Sequence, residues 1–202
     1  MRDFSAEASQ QMTQVIRLWD LPLRIFHWAL VICVASAWGL GRFGPDIMTL
    51  HFLFGYAVIG LLVFRLLWGF VGPRPARFRS CLYGPRAVFA YLRDIPARRP
   101  SYWPGHNPLG GLFVIALLVV LAAQVATGLV ADPQDYVNTG PLARMVNAKT
   151  SRMALNWHDI LGKVIMLMVV LHVATILFYR LWKREDLIRP MIVGWKRVCG
   201  RR

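Results

Sequence analysis

Four of the five histidines in the chain lie within or at the edge of long apolar stretches: His27, His51, His158 and His172. An ionisable side chain inside a membrane is costly, so by default it indicates a functional site. Imidazole is also a frequent metal ligand in proteins. A buried, hydrogen-bonded core histidine would explain one such position, but it explains four of them poorly. We therefore predict that these side chains bind a metal or a metal-containing cofactor.

The spacing of the histidines predicts two sites stacked along a helix axis. His158 and His172 are fourteen residues apart, so on a helix they share one face and are separated by about 21 Å along the axis. The candidate partner at the level of His158 is His51. At the level of His172 the candidates are His27 and His106. Two imidazoles from facing helices at each level can supply the axial ligands of two haems in a bundle core.

A glycine follows two of these histidines by four residues, Gly55 after His51 and Gly162 after His158. A residue four positions on lies one turn along on the same helix face. Without a side chain it leaves room for a large planar guest, and the repeated spacing favours this cofactor interpretation. The alternative is close packing between helices, for which membrane helices commonly use glycine.

Arg65 follows His51 by fourteen residues and therefore lies on nearly the same face, at the level of His172. A guanidinium at this depth needs an anion, and a haem propionate would supply one. The alternative is that the long side chain reaches the nearby headgroups.

His106 precedes a sequence typical of a helix start, in which Asn107 can cap and Pro108 suits the first turn. We therefore place His106 at the cytoplasmic surface. It would contact a propionate or a quinone there, or lie at the interface as a plain surface residue. Asn107 belongs to the same candidate site.

Composition supports a membrane protein. The chain of 202 residues is 56% hydrophobic yet carries a net charge of +14. A nucleic-acid-binding protein can be equally basic, but it would not contain four long apolar runs. Each run approaches the ~20 residues that a membrane-spanning helix requires. We predict an all-α, four-helix transmembrane bundle with spans at residues 25–41, 51–72, 109–131 and 158–182.

The distribution of charge predicts the orientation. The connection 73–105 contains seven arginines and one acid, and the tail after Tyr179 contains eight Lys or Arg residues. The positive-inside rule places both segments and both termini in the cytoplasm. We divide the chain into a polar arm (1–16), the bundle (17–182) and a basic tail (183–202). Ala35-Ser36-Ala37 resembles a signal-peptidase site, but cleavage there would discard His27, and we expect none.

Several stretches, taken in order, resemble the bacterial di-haem cytochrome b561 family, which overlaps with the b-type cytochrome subunits of membrane-bound nickel–iron hydrogenases. The matching stretches are WDLPLRIFHW, RLLWGFVGPRPARF (Arg65–Phe78), GHNPLGG and LHVATIL (Leu171–Leu177). The resemblance implies two non-covalent b haems in a four-helix bundle. Carried over to this chain, His27 and His172 would hold the cytoplasmic-side haem, and His51 and His158 the outer one.

The resemblance implies electron transfer across a bacterial inner membrane, between the quinone pool and a periplasmic cytochrome c, a hydrogenase-like subunit or a similar partner. Two axial histidines leave no open iron position, which argues against oxygen chemistry. A stand-alone quinone-reducing oxidoreductase and a histidine-lined metal transporter are the alternatives. The sequence does not decide whether the protein is itself an enzyme or a homodimer, or on which side a quinone binds. We expect contacts with anionic lipid and none with nucleic acid.

Overall fold

Four long helices form the body of the protein. The structure is a computed structural model that describes residues 13–46, 48–97, 103, 105–135 and 137–199. The long helices are α1 (Leu21–Phe43), α2 (Thr49–Val71), α4 (Pro108–Val130) and α5 (Ala148–Leu181), with the shorter α3 (Pro85–Asp94) and α6 (Ile188–Val193) between or after them. Each long helix is long and apolar enough to cross a membrane. The predicted four-helix bundle is thereby confirmed.

The ends of α1, α2 and α4 lie close to the predicted spans, whereas α5 begins ten residues before the predicted 158. The Asn147 side chain caps this earlier start by accepting a hydrogen bond from the Thr150 amide. The first turns of α5 are polar, so hydropathy alone does not reveal them. The expectation that His158 starts the helix was therefore wrong: it lies three turns inside α5.

The helix α4 begins as its sequence predicts. The Asn107 Oδ1 accepts a hydrogen bond from the Gly110 amide at 2.7 Å, and Pro108 occupies the first turn. Pro108 has no amide hydrogen to leave unpaired, so the two residues together define the start of the helix.

Helix packing leaves the apolar surface of the bundle facing outward. The helix α1 packs against α2, α4 packs against α5, and α2 contacts α4. Many large apolar side chains on these helices are exposed, such as Ile32, Leu67 and Leu167. An outward apolar surface of this extent is expected where the surrounding solvent is hydrocarbon.

A small sheet joins the two ends of the chain, which the expectation of an all-α fold did not include. The strand β1 (Thr13–Arg17) pairs antiparallel with β2 (Trp195–Cys199). Gly194, at φ 86°, makes the turn into β2, and its carbonyl oxygen accepts hydrogen bonds from the amides of Leu18 and Trp19. We call this end of the bundle the terminal end and the opposite end the distal end. Residues 1–12 of the predicted arm lie outside the described residues.

The arginine-rich connection contains the helix α3, which ends at Asp94, two residues before Pro96. Its Tyr91 side chain is buried, while Phe89 and Leu92 are exposed beside Arg86 and Arg93. An amphipathic helix of this kind suits the membrane interface. Arg98 and Arg99 lie outside the described residues.

Candidate functional site

At the distal end, α2 and α5 bring the rings of His51 and His158 close together, edge to face. Their ring centroids are 6.0 Å apart, with an angle of 74° between the ring planes. A metal–imidazole bond is about 2 Å long and the bonding nitrogen lies about 1 Å from the ring centroid, so two axial imidazoles on one metal have centroids about 6 Å apart. The observed spacing therefore fits one metal ion between the two rings.

Both distal rings form a hydrogen bond through Nδ1 to a backbone carbonyl oxygen. The His51 Nδ1 lies 2.8 Å from the Ala37 carbonyl oxygen, and the His158 Nδ1 lies 2.9 Å from the Gln124 carbonyl oxygen. A carbonyl only accepts, so each Nδ1 carries the hydrogen and each Nε2 keeps its lone pair. Metal-binding histidines typically donate their second nitrogen in this way, which fixes the tautomer and orients the ring.

A cavity of about 510 Å³ opens beside these rings, and its lining includes His51, His158, Gly55 and Gly162. Its volume lies within the usual range of cofactor sites. A Cβ atom added at Gly55 would meet nothing within 4 Å, and one at Gly162 would meet only the Gln124 Nε2, at 3.6 Å. The space beside both glycines is therefore open, as the spacing predicted.

Two further glycines lie in close contact with the histidine rings, and the sequence analysis missed both. A Cβ atom at Gly41 of α1 would lie 3.1 Å from the His51 Nδ1, and one at Gly128 of α4 would lie 2.8 Å from the His158 Cε1. The rings therefore lie directly against the backbone of the neighbouring helix. Neither glycine is near its histidine in sequence, so local spacing gave no signal for them.

Gln124 on α4 is a third distal residue that the sequence analysis missed. Its Nε2 lies 3.1 Å from the His158 Nε2, and its backbone carbonyl oxygen holds the Nδ1 of the same ring. Its Oε1 is buried without a hydrogen-bond partner among the described residues. A lone glutamine within an apolar span was the available sequence signal.

At the terminal end, α1 and α5 bring His27 and His172 together. Their ring centroids are 6.5 Å apart, again close to the spacing that two ligands of one metal would have. The ring of Phe113 stacks on His172 at 5.8 Å, with an angle of 12° between the planes. The His27 Nδ1 is buried and has no hydrogen-bond partner among the described residues.

Arg65 is buried at the terminal end. It is only 3% exposed, and its guanidinium carbon lies 4.6 Å from the centroid of the Phe78 ring. Its Nη1 has no hydrogen-bond partner among the described residues. This burial contradicts the alternative in which Arg65 reaches the headgroups. A buried, unpaired guanidinium donor fits a carboxylate of an anionic guest.

His106 is partly buried at the terminal end, where it is more enclosed than the surface position predicted from the sequence. Its ring lies 4.7 Å from that of Trp19, its Nδ1 lies 3.6 Å from the Cys81 Sγ, and its carbonyl oxygen accepts from the Tyr83 hydroxyl at 2.8 Å. Burial, with a smaller effect from the positive charge of Arg65, lowers the pKa of His106 to about 4. The ring is therefore neutral at physiological pH.

Asn107 is occupied by contacts that hold the fold. Besides capping α4, it donates from Nδ2 to the Tyr179 hydroxyl at 3.1 Å. That hydroxyl also hydrogen-bonds to Tyr91 of α3. Asn107 thus links the start of α4 to α3 and α5, and both of its side-chain polar atoms are already paired.

Each histidine pair would give a metal two protein ligands. Among the described residues, no three His, Cys, Asp or Glu side chains converge on a point where a metal ion could bind. Such pairs suit a metal that arrives with its other ligands, as iron does in haem.

These features define a multi-pass membrane bundle that contains two pairs of neighbouring histidines at different depths. The chain belongs to the prokaryotic cytochrome b561 family, whose pattern it matches over residues 18–194. The protein is accordingly a b-type cytochrome that transfers electrons in a membrane.

Curated relatives of this chain are cytochrome subunits. The chain is 24% identical over 212 residues to the probable Ni/Fe-hydrogenase 1 B-type cytochrome subunit of Escherichia coli K12, covering 89% of each chain. It is 24% identical over 215 residues to the probable Ni/Fe-hydrogenase B-type cytochrome subunit of Azotobacter vinelandii, covering 90% of this chain and 88% of the relative. The corresponding subunit of Bradyrhizobium diazoefficiens is 22% identical over 216 residues, with 89% and 85% covered.

Proposed function

We propose that the protein carries electrons across the membrane through two b haems, one held by His27 and His172 and the other by His51 and His158. The observation that carries this proposal is the repeated spacing of facing imidazoles, 6.5 Å at the terminal end and 6.0 Å at the distal end. Both distances suit two axial ligands of one iron. His158 and His172 are fourteen positions apart, which separates the two levels along α5.

The surrounding residues would each serve the haems in a specific way. When bound, haem iron would supply one-electron redox chemistry, and with two histidine ligands it would have no free position for oxygen. Gly55 and Gly162 leave space for the distal macrocycle, and Arg65 offers its unpaired Nη1 to a propionate at the terminal end. The carbonyl oxygens of Ala37 and Gln124 hold the Nδ1 of the distal imidazoles, so Nε2 is the nitrogen that would bind the iron.

The protein would lie in a bacterial inner membrane with both termini in the cytoplasm. The arginine-rich connection that contains α3 lies at the terminal end, as do both described chain ends, and the positive-inside rule assigns such an end to the cytoplasm. The terminal-end pair would then be the cytoplasmic one. We keep the division proposed from the sequence, with an arm (1–16), the bundle (17–182) and a tail (183–202), and place the arm and the tail on the cytoplasmic side.

The relay would connect the quinone pool to a redox partner. The relatives are named as cytochrome subunits of nickel–iron hydrogenases, which favours a hydrogenase-like partner over a cytochrome c. Arg65 and His106 are the terminal-end candidates for contacting a quinone. Asn107 is a weaker one because its polar atoms are already bonded. At the distal end Asp159 is paired with Lys163 at 2.7 Å.

Haem stoichiometry tests this proposal. We expect the detergent-purified protein to contain two b haems per chain by pyridine haemochrome assay, with low-spin spectra that carbon monoxide does not change. His27→Ala and His51→Ala should each lose one haem, whereas Leu53→Ala, a change at an exposed position of α2 at the distal end, should keep both. A colourless folded protein, or His51→Ala with unaltered haem content, would refute the assignment.

A further inference from the structure

The two histidine pairs lie in electrostatically different surroundings. At the distal pair both rings have Nδ1 hydrogen-bonded to a backbone carbonyl oxygen, at 2.8 Å for His51 and 2.9 Å for His158. At the terminal pair the His27 Nδ1 has no such partner among the described residues. The terminal end instead holds the buried guanidinium of Arg65, which acts electrostatically on His106, as His27 and His172 also do.

The ring hydrogen bonds favour the oxidised form at the distal site. An imidazole whose Nδ1 hydrogen is donated to a carbonyl becomes a more basic ligand through its Nε2. A more basic ligand stabilises ferric iron relative to ferrous iron. Second-shell hydrogen bonding is one of the means by which a protein sets the potential of a haem.

The charge of Arg65 favours the reduced form at the terminal site. Reduction adds one negative charge, and a cation in a poorly screened interior attracts that charge. Asp20 at the same end offsets part of this effect, and its Oδ2 accepts a hydrogen bond from the Trp68 Nε1 at 2.8 Å. Arg24, one turn along α1, adds a second positive charge. The summed charge of Arg65, Arg24 and Asp20 is therefore positive.

The charged side chains around the distal cavity balance one another. Those lining it are Arg42, Asp135, Asp159 and Lys163. Asp159 and Lys163 form an exposed ion pair, and Asp135 accepts hydrogen bonds from the amides of Val137 and Asn138. Two positive and two negative groups near solvent give little net bias compared with one buried arginine.

We propose that the haem of the His27–His172 site has the higher reduction potential of the two, and that Arg65 raises it. An electron on the relay therefore rests at the terminal site when no quinone or partner removes it. This inference rests on the proposed two-haem function.

A potentiometric titration of the holoprotein in detergent, followed in the visible haem band, tests this inference. We expect two one-electron waves. Arg65→Gln should lower the more positive wave by at least a tenfold change in the reduction equilibrium, which is about 59 mV for one electron, and leave the other wave in place. Arg65→Lys keeps the charge and should restore much of the shift. Arg86→Gln removes an exposed arginine at the same end and should move neither wave.

A single-site variant assigns the waves independently. His51→Ala should retain the haem of the terminal site, and its midpoint should coincide with the more positive wave of the unaltered protein. If His51→Ala does not fold or bind haem, the Arg65→Gln, Arg65→Lys and Arg86→Gln variants still test the inference. A shift of the more negative wave in Arg65→Gln, or coincident waves, would overturn the inference while leaving the two-haem function standing. A preparation with fewer than two haems per chain would overturn both.

Discussion

Gly128 of α4 lies directly against the ring of His158 on α5, so that a Cβ atom at position 128 would be 2.8 Å from the His158 Cε1. A real Cβ does not approach this closely, and either the ring or the helix backbone would have to move. The carbonyl oxygen of Gln124, one turn earlier on α4, also holds the Nδ1 of this ring. The position of the His158 ring therefore depends on a residue thirty positions away in the chain.

Gly128→Ala should weaken haem binding at the distal site because it displaces His158. Overpacking of this kind typically costs about 1–3 kcal/mol, which corresponds to a loss of affinity of roughly fivefold to more than a hundredfold. Haem content by pyridine haemochrome measures the effect. Gly39→Ala is the matched control, since its Cβ would meet nothing within 4 Å. Equal haem content in both variants would show that haem binding does not require the close contact between Gly128 and the His158 ring.

Gly55→Ala should also lower haem content, for a different reason. In the protein structure a Cβ at Gly55 meets nothing within 4 Å, and the same holds for Gly60 on the same helix. The protein itself therefore accommodates alanine equally well at both positions. If a macrocycle occupies the space beside Gly55, Gly55→Ala loses distal haem while Gly60→Ala keeps it. Identical spectra and stoichiometry for the two variants would exclude a haem at that position.

Acid should destabilise the protein partly through His106. Burial lowers its pKa from 6.5 to about 4, so between those values the unfolded chain takes up a proton and the folded protein does not. Stability therefore falls as the pH falls through this window, by about 3 kcal/mol for this group. His106→Asn removes the effect, and its unfolding free energy in mixed micelles should depend less on pH between 7 and 4. Parallel pH profiles for the two proteins would contradict this account.

Asn147→Ala should destabilise the first turns of α5. The Asn147 Oδ1 accepts a hydrogen bond from the Thr150 amide at 2.9 Å, and loss of such a cap costs about 1 kcal/mol. Thermal unfolding measures the effect. Asn156→Ala, at an exposed position within the same helix, replaces asparagine with a better helix former and should be neutral or slightly stabilising. A lower midpoint for Asn156→Ala than for Asn147→Ala would contradict this assignment of the cap.

The sequence by itself determined the four membrane helices and the placement of histidines along them. Hydropathy, capping and the period of 3.6 residues act over short stretches of chain, so His158 and His172 could be assigned to one face and Asn107 to a helix start. The same locality explains the error at α5. Its first turns are polar, and a hydropathy window does not distinguish a polar helix from a loop.

The tertiary structure alone decided which atoms meet across helices. The close contacts of Gly41 and Gly128 with the histidine rings, the contact of Gln124 with His158 and the burial of His106 against Trp19 all join residues far apart in the chain. The pairing of β1 with β2 joins residues near the two chain ends. Such contacts depend on how helices pack and how side chains interlock, and local spacing carries no information about them.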